Sequence, residues 1–325
     1  MERTIVWALD AFEPPGDILQ AAIRTLSVLG PQLQARIRPV FILNPWQMNL
    51  ATEFGELAEM PGMELYRSAA EASLHERLKD IALPGLLEPV VITVDSASTH
   101  QSIEALSNYA ELTDAEVILV SSHARSGLGR FFLGSFSEKL ILFSQRPVVV
   151  VHGSPAISQS DSSRVLVATD LTDGGKVEYG ASLELGKKMG LEIILFHSVP
   201  HPLEEVFQSG VFLLSGGWMP THEYVTSEIE SRQKKLDAWV AEGKNRGLAV
   251  RGVLDTGGGS VALAIIRTAR QEKAGLIAMS ANTGPIATVF LGSVTREVVR
   301  ASECPVWVFR TGARQQTKNQ DEAVA

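Results

Sequence analysis

Short apolar runs alternate with amphipathic stretches along nearly the whole chain. Read as strands, the apolar runs fall near 4–9, 37–43, 89–94, 116–121 and 147–152. They recur near 164–169, 191–198, 248–254, 275–280 and 305–310. The stretches between them carry helical periodicity, which predicts helices near 16–29, 64–82, 100–112, 135–145, 174–189, 221–245, 260–272 and 293–301. Strands this apolar, separated by helices, imply parallel sheets covered on both faces. Right-handed crossovers then give open, doubly wound α/β sheets, whose ligands sit at the carboxyl ends of the strands beside the switch point.

The pattern is written twice. LGSFSEKLILFSQRPVVVV (133–151) aligns with LGSVTREVVRASECPVWVF (291–309), so that Gly134 precedes Gly292, and Pro147 precedes Pro305, by 158 residues. TIVWALDAF (4–12) aligns with RVLVATDLT (164–172), and Asp10 precedes Asp170 by 160. Small insertions or deletions reconcile the two offsets. Gly30 and Gly190 each follow their aspartate by twenty residues and are expected to close the first helix of each copy in a left-handed conformation. The predicted fold is therefore a tandem of two five-stranded parallel sheets. Domain one spans 1–152 and domain two 163–311. HGSPAISQSDSS (152–163) reads as a linker, and 312–325 as a polar tail with too little apolar surface to fold.

Composition narrows the function. Nothing in the chain has the length of an apolar membrane span, and the first residues lack the layout of a secretory signal. A single cysteine, Cys304, excludes an internal disulfide and a cysteine-based zinc cluster, and fits a reducing cytoplasm. A net charge of -8 argues against bulk binding to nucleic acid or to anionic membranes.

The most informative stretch is SHARSGLGRFFLGS (122–135), a small-residue, basic loop between a predicted strand and a predicted helix. Such a place suits a phosphate, because helix amino termini present free amides. The loop has no Walker lysine and no G-x-G-x-x-G array. Together with the aspartates ending strand one (ALD, ATD), the run SHARSGLGRFFLGSFSEKL followed by RPVVVV resembles the universal stress protein (UspA-like) family. That family carries G-x2-G-x9-G-S/T after strand four and then a proline-led strand five. The likeness covers nearly the whole chain, twice. It implies a Rossmann-like, adenine nucleotide alpha hydrolase-like fold that binds adenine nucleotide in some members and none in others. It also implies that edge strands 147–152 and 305–310 pair antiparallel about a pseudo-two-fold axis.

Carried over residue by residue, the resemblance assigns nucleotide contacts in copy one to Asp10, Ser121, Ala124, Gly134 and Ser135, and the basic Arg125, with Gly127 and Ser137 of the same loop and helix start, joins them as a candidate. In copy two it assigns them to Asp170, Gly292 and Ser293. The two early glycines of the pattern fall on Ser121 and Ala124 in copy one, and on Met279 and Asn282 in copy two. Serine and alanine leave room for close approach, whereas methionine adds bulk. Loop one carries Arg125 and Arg130. Loop two, SANTGPIATVF, has no basic residue, and its Pro285 lacks an amide donor. ATP or AMP, with Mg²⁺ accompanying ATP, is thus expected in copy one rather than copy two.

Plainer readings stand beside these. Gly134-Ser135 and Gly292-Ser293 can be ordinary helix starts with serine as cap. Asp10 and Asp170 either contact a ribose or base, or cap the following turn. DTGGGSVALAII (255–266) looks like a second phosphate loop but reads better as a turn with Ser260 as helix cap. His197 and His201 in HSVPH lack a third ligand nearby, so no metal site is expected. Cys304 reads as a small buried filler. No G-x-S-x-G, HExxH or P-loop is present, and no catalytic residue is singled out. Segments 45–64 and 200–223 are loop-length yet rich in Trp, Met, Phe and Leu, and serve either as lids, as partner-binding surfaces or as core filling.

The expected function is a cytoplasmic, non-enzymatic stress-response binding or signalling module, with a homodimer of the chain as a further possible assembly. The alternatives are a nucleotide-free, chaperone-like module using the two hydrophobic segments, and a slow adenine-nucleotide hydrolase.

Overall fold

The computed structural model describes residues 3–13, 16–45, 63–122, 134–153, 163–199, 222–281 and 291–309. In the first half β1 (Thr4–Ala8), α1 (Asp17–Leu33), β2 (Arg36–Leu43), α2 (Met63–Leu78), β3 (Val90–Thr93), α3 (Thr99–Leu112), β4 (Ala115–Ser122), α4 (Ser135–Phe143) and β5 (Val148–His152) follow one another. The second half repeats the order with β6 (Arg164–Ala168), α5 (Asp173–Met189), β7 (Glu192–Ser198), α6 (His222–Asn245), β8 (Val250–Asp255), α7 (Val261–Gln271), β9 (Leu276–Ser280), α8 (Ser293–Ala301) and β10 (Val306–Phe309). The apolar runs thus become strands and the periodic stretches helices, with ends displaced by a few residues.

Strands lie in the order β3-β2-β1-β4-β5-β10-β9-β6-β7-β8. Neighbours within a half are parallel. The two five-stranded units are not separate sheets: β5 and β10 pair antiparallel, as expected for the edge strands, and make one ten-stranded sheet. The pairing satisfies amides that an open edge would expose.

Both faces of this sheet are apolar because its strands are buried on both sides. Ile5, Trp7, Ile37, Leu119 and Val149 point to one face, where α1, α2, α5 and α6 cover them. Val6, Val40, Ile118, Val120 and Val150 point to the other, beneath α3, α4, α7 and α8. Each apolar layer runs through both halves. Polar ties cross the seam as well: Glu138 of α4 meets Arg296 of α8 at 2.6 Å, Lys188 of α5 meets Glu116 of β4 at 2.9 Å, and the His152 ring bonds the Val299 carbonyl.

One expectation about the first helices needs correcting. Gly190 does close α5 in a left-handed conformation, with φ 64°. Gly30 does not close α1, which runs on through Pro31 to Leu33, and Gln34 takes the left-handed position with φ 52°. The reason is an insertion upstream. α5 begins three residues after Asp170, whereas α1 begins seven after Asp10. The counterpart of Gly30 is therefore Gly186. Both sit against the isoleucine that is second in the next strand, Ile37 and Ile193, and both accept from the amide five residues on, that of Ala35 or Leu191. A Cβ at Gly186 would lie 2.6 Å from Ile193 Cδ1, so close helix-to-strand contact keeps that position glycine.

Candidate functional site

In each half the carboxyl ends of the first and fourth strands are neighbours, since β1 pairs with β4 and β6 with β9. This is the switch point of a doubly wound sheet, where a crevice opens because the helices on either side diverge. In the first half it holds a cavity of about 330 Å³. Its apolar wall includes Trp7, Val40, Ile42, Leu106, Val120 and Phe136. Its polar groups include Asp10, Asn44, Ser102, Ser121, Ser135 and Ser137.

Local chemistry fixes this wall. The Asp10 carboxylate accepts from the Phe12 amide at 2.9 Å, so it does cap the turn after β1, and it also lines the cavity. The same turn is held from α2: Arg77 donates to the Asp10 and Ala11 carbonyls at 3.0 and 3.1 Å, and Ser73 to the Ala11 carbonyl at 2.6 Å. Asn44, at the end of β2, donates through Nδ2 to Ser102 Oγ of α3 at 3.2 Å and ties two walls together. Ser98 caps α3 by accepting from the His100 amide.

The start of α4 lines the same cavity as Asp10. Gly134 is its cap residue, in extended backbone, and no side chain caps the turn. Ser135 is the first helical residue and exposed, so the reading of it as a capping serine is not what forms. The same holds in the second half, where Gly292 precedes α8, no side-chain cap is made and Ser293 is exposed. An amino terminus without a side-chain cap, facing a cavity, carries amides and partial positive charge toward whatever fills it. A Cβ built on Gly134 would meet nothing within 4 Å among the described residues.

The second half carries bulkier side chains at two of the equivalent positions. Ala8 pairs with Val40 and Ala168 with Phe196, which puts Phe196 at the register position of Val40. Ile118 pairs with Val148 and Ile277 with Val306, which puts Met279 at the position of Val120 and Ser280 at that of Ser121. The matching of Met279 to Ser121 is therefore off by one residue: the strand registers are offset from the loop alignment. Its argument from bulk survives in altered form. Phe196 and Met279 are both buried and replace two valines of the cavity wall.

The polar groups at this end of the second half bond to each other. Asp170 accepts from the Thr172 amide at 2.9 Å and hydroxyl at 2.7 Å, and Thr172 Oγ1 accepts from the Gly175 amide, capping α5. Ser198 and Arg267 both donate to Asp255, at 3.0 and 2.8 Å. Thr295 donates to the Ser280 carbonyl at 2.9 Å. Ser260 caps α7 through the Leu263 amide, as the plain reading of the glycine run had it. His197 stands where Phe41 stands in the first half. Its Nδ1 donates to the Thr169 carbonyl at 2.8 Å, and burial holds its pKa below the ordinary histidine value.

Of the residues proposed from sequence, Asp10, Ser121, Gly134, Ser135 and Ser137 come together around the first cavity. Ala124, Arg125 and Gly127 lie outside the described residues, as do Arg130, Asn282, Pro285, His201, the linker core, the tail and most of both hydrophobic segments. Asp170, Gly292 and Ser293 belong to the second crevice. The sequence reading missed the β2 and α3 side of the cavity: Val40, Ile42, Asn44, Thr99 and Ser102. A signal was present, since β2 must flank β1 and Asn44 is a polar residue directly after PVFIL. Cys304 packs against the core, and burial raises its thiol to about 11, which suits filling rather than reactivity. Among the described residues no cluster of His, Cys, Asp or Glu is arranged to hold a metal, and no helix is long and apolar enough to cross a membrane.

Comparison with known proteins agrees with this double architecture. The universal stress protein family profile matches residues 1–152 and again 162–310. A universal stress protein of Mycolicibacterium smegmatis is 24% identical over 210 residues, covering 60% of this chain and 62% of that protein, so the match spans less than two thirds of the relative's length. The crystal structure of a universal stress protein from Archaeoglobus fulgidus matches with a TM-score of 0.62 at 20% identity, covering 95% of this chain and 98% of that one. A universal stress protein from the same organism, solved in complex with dAMP, covers 45% of this chain and 95% of its own at 19% identity, with a TM-score of 0.32.

Proposed function

The chain belongs to the universal stress protein family, and we propose that its first half is a binding site for an adenine nucleotide, ATP or AMP, in a cytoplasmic stress-response module without classical enzyme activity. The observation that carries this reading is the first-half cavity of about 330 Å³, lined by both Asp10 and the Gly134-Ser135 helix start. Its size falls at the lower end of ordinary ligand pockets, and its wall is mainly apolar with a few polar groups, as such pockets are built.

The residues present fit the proposed ligand. A base and ribose suit the apolar wall and the Asp10 side, where a carboxylate accepts hydroxyl or amino hydrogens and repels phosphate. Phosphate suits the α4 amino terminus, helped by basic Arg125 from the loop that follows Ser122 in sequence. Mg²⁺ arriving with ATP would stay with the phosphates at the α4 amino terminus, away from the Asp10 carboxylate. Among the described residues none stands out as a base for activating water, and any hydrolysis is expected to be slow.

Titration calorimetry with Mg-ATP and with AMP tests the reading. One site per chain, of micromolar or weaker affinity, is expected. Arg125→Ala should weaken it by more than tenfold, since a charge-assisted hydrogen bond contributes about 1.5–3 kcal/mol. Two equal sites, or no binding together with no adenine nucleotide in the denatured purified protein by mass spectrometry, would overturn it.

A further inference from the structure

The antiparallel seam has a centre, and the registers locate it. Val149 and Trp307 occupy the same position in their respective halves, being the second residues of β5 and β10. They are also paired with each other across the seam. The flanking pairs, Val150 with Val306 and Val148 with Val308, are symmetric about them. The pseudo-two-fold axis therefore passes through the Val149–Trp307 pair. In a true two-fold dimer of identical halves, a residue on the axis would meet its own copy.

A second pair has the same property. Glu138 and Arg296 are both the fourth residue of their helices, α4 and α8, and they meet across the axis on the opposite face of the sheet at 2.6 Å. Both partners are partly shielded from water. On one face the axis thus sets a large ring against a small aliphatic side chain, in the buried layer under α1 and α5. On the other face it sets a carboxylate against a guanidinium.

We infer that these two axial pairs make the halves non-interchangeable, so that the partner each half's edge strand accepts is the unlike half and not a second copy of itself. Two first halves would place Val149 against Val149 and Glu138 against Glu138, leaving a gap and two like charges. Two second halves would crowd Trp307 against Trp307 and oppose Arg296 to Arg296. Discrimination of this kind combines an attractive fit with a penalty on the wrong pair. It follows that β5 and β10 close the chain on itself and leave neither edge for another chain. Any assembly of chains must use a different surface.

The test is a set of exchanges in the full-length chain, read by thermal unfolding. Val149→Trp and Trp307→Val each make the axis like-with-like in size, and Glu138→Arg and Arg296→Glu each make it like-with-like in charge. Each single change should lower the midpoint of unfolding, by about 3 °C or more for the buried pair. The exchanged doubles, Val149→Trp with Trp307→Val and Glu138→Arg with Arg296→Glu, restore unlike partners and should recover at least half of what the two singles lose together. Exchanged doubles whose losses simply add would overturn the inference. If Val149→Trp fails to fold, the charge exchange alone decides, because both its members lie on helix surfaces partly open to water.

Discussion

Phe196 offers the sharpest test of why the two crevices differ. It is buried to within 1% of complete and occupies the place of the cavity-lining Val40. Phe196→Val would remove the four extra carbons of the ring, at ~0.8 kcal/mol for each buried carbon, or about 3 kcal/mol in all. The measured range for full truncation of a buried phenylalanine, about 3–5 kcal/mol, sets the upper side. For a chain of this length that loss corresponds to roughly 6 °C in the unfolding midpoint. The companion is Val40→Phe, which carries the plug into the first half. There the added ring enters a cavity of about 330 Å³ instead of a packed core, so stability should hold or rise slightly. Calorimetric titration with Mg-ATP should at the same time show binding lost. Differential scanning calorimetry of both variants provides the assay. A loss under about 1 kcal/mol for Phe196→Val would mean that the ring does not plug the second crevice. Undiminished nucleotide binding by Val40→Phe would mean that the cavity is not where the ligand sits.

Other outcomes follow from the same geometry. Gly134→Val should abolish nucleotide binding by blocking close approach to the α4 amino terminus, with a stability change within about 1 kcal/mol, because its Cβ would meet nothing within 4 Å among the described residues and only cap preference is lost; titration calorimetry and thermal unfolding measure the two effects. Ser260→Ala should destabilise by about 1 kcal/mol through the lost cap on α7, measured by urea unfolding, without affecting ligand binding. Burial holds both His152 and His197 below the ordinary pKa, despite their bonds to the Val299 and Thr169 carbonyls. The unfolded chain therefore takes up protons near pH 6.5 that these two folded histidines do not, so their contribution to stability should be constant above that pH and fall below it. His197→Phe, the residue found at this position in the first half, should flatten part of that acid slope in urea unfolding followed from pH 7.5 to 5.

The repeat, the strands and the antiparallel seam were legible because each depends on pattern. Alternating apolar and amphipathic runs dictate a two-faced sheet, and the proline-led strands 147–152 and 305–310 left edges that needed partners. Less visible was anything set by a one-residue or four-residue offset. Gly30 reads as a helix stop when it is aligned from Asp10, and as a packing glycine when aligned from Ile37. The difference is the longer connection between β1 and α1, which sequence spacing cannot apportion. Met279 likewise aligns with Ser121 when counted back from Gly292, and with Val120 when counted through the strand pairs. The loops and the strands keep separate registers, and only hydrogen bonding reveals which one a residue obeys.

The candidate site divides along the same line. Asp10, Ser121, Gly134, Ser135 and Ser137 could be named in advance because they follow strands or begin a helix in a recognisable loop. The β2 and α3 wall could not, because Val40 and Phe196 both read as ordinary core residues of a buried strand. Their consequence appears only when the halves are superimposed by register. Val40 lines the cavity that Asp10 also lines, and a buried phenylalanine takes its register position in the second half. A duplicated chain whose halves face each other through unlike axial pairs is free to change one crevice without changing the other. Once the seam no longer requires identical partners, each half meets its own packing demands. The asymmetry of the crevices and the asymmetry of the axis then have a common physical origin in the covalent joining of two halves that need not remain alike.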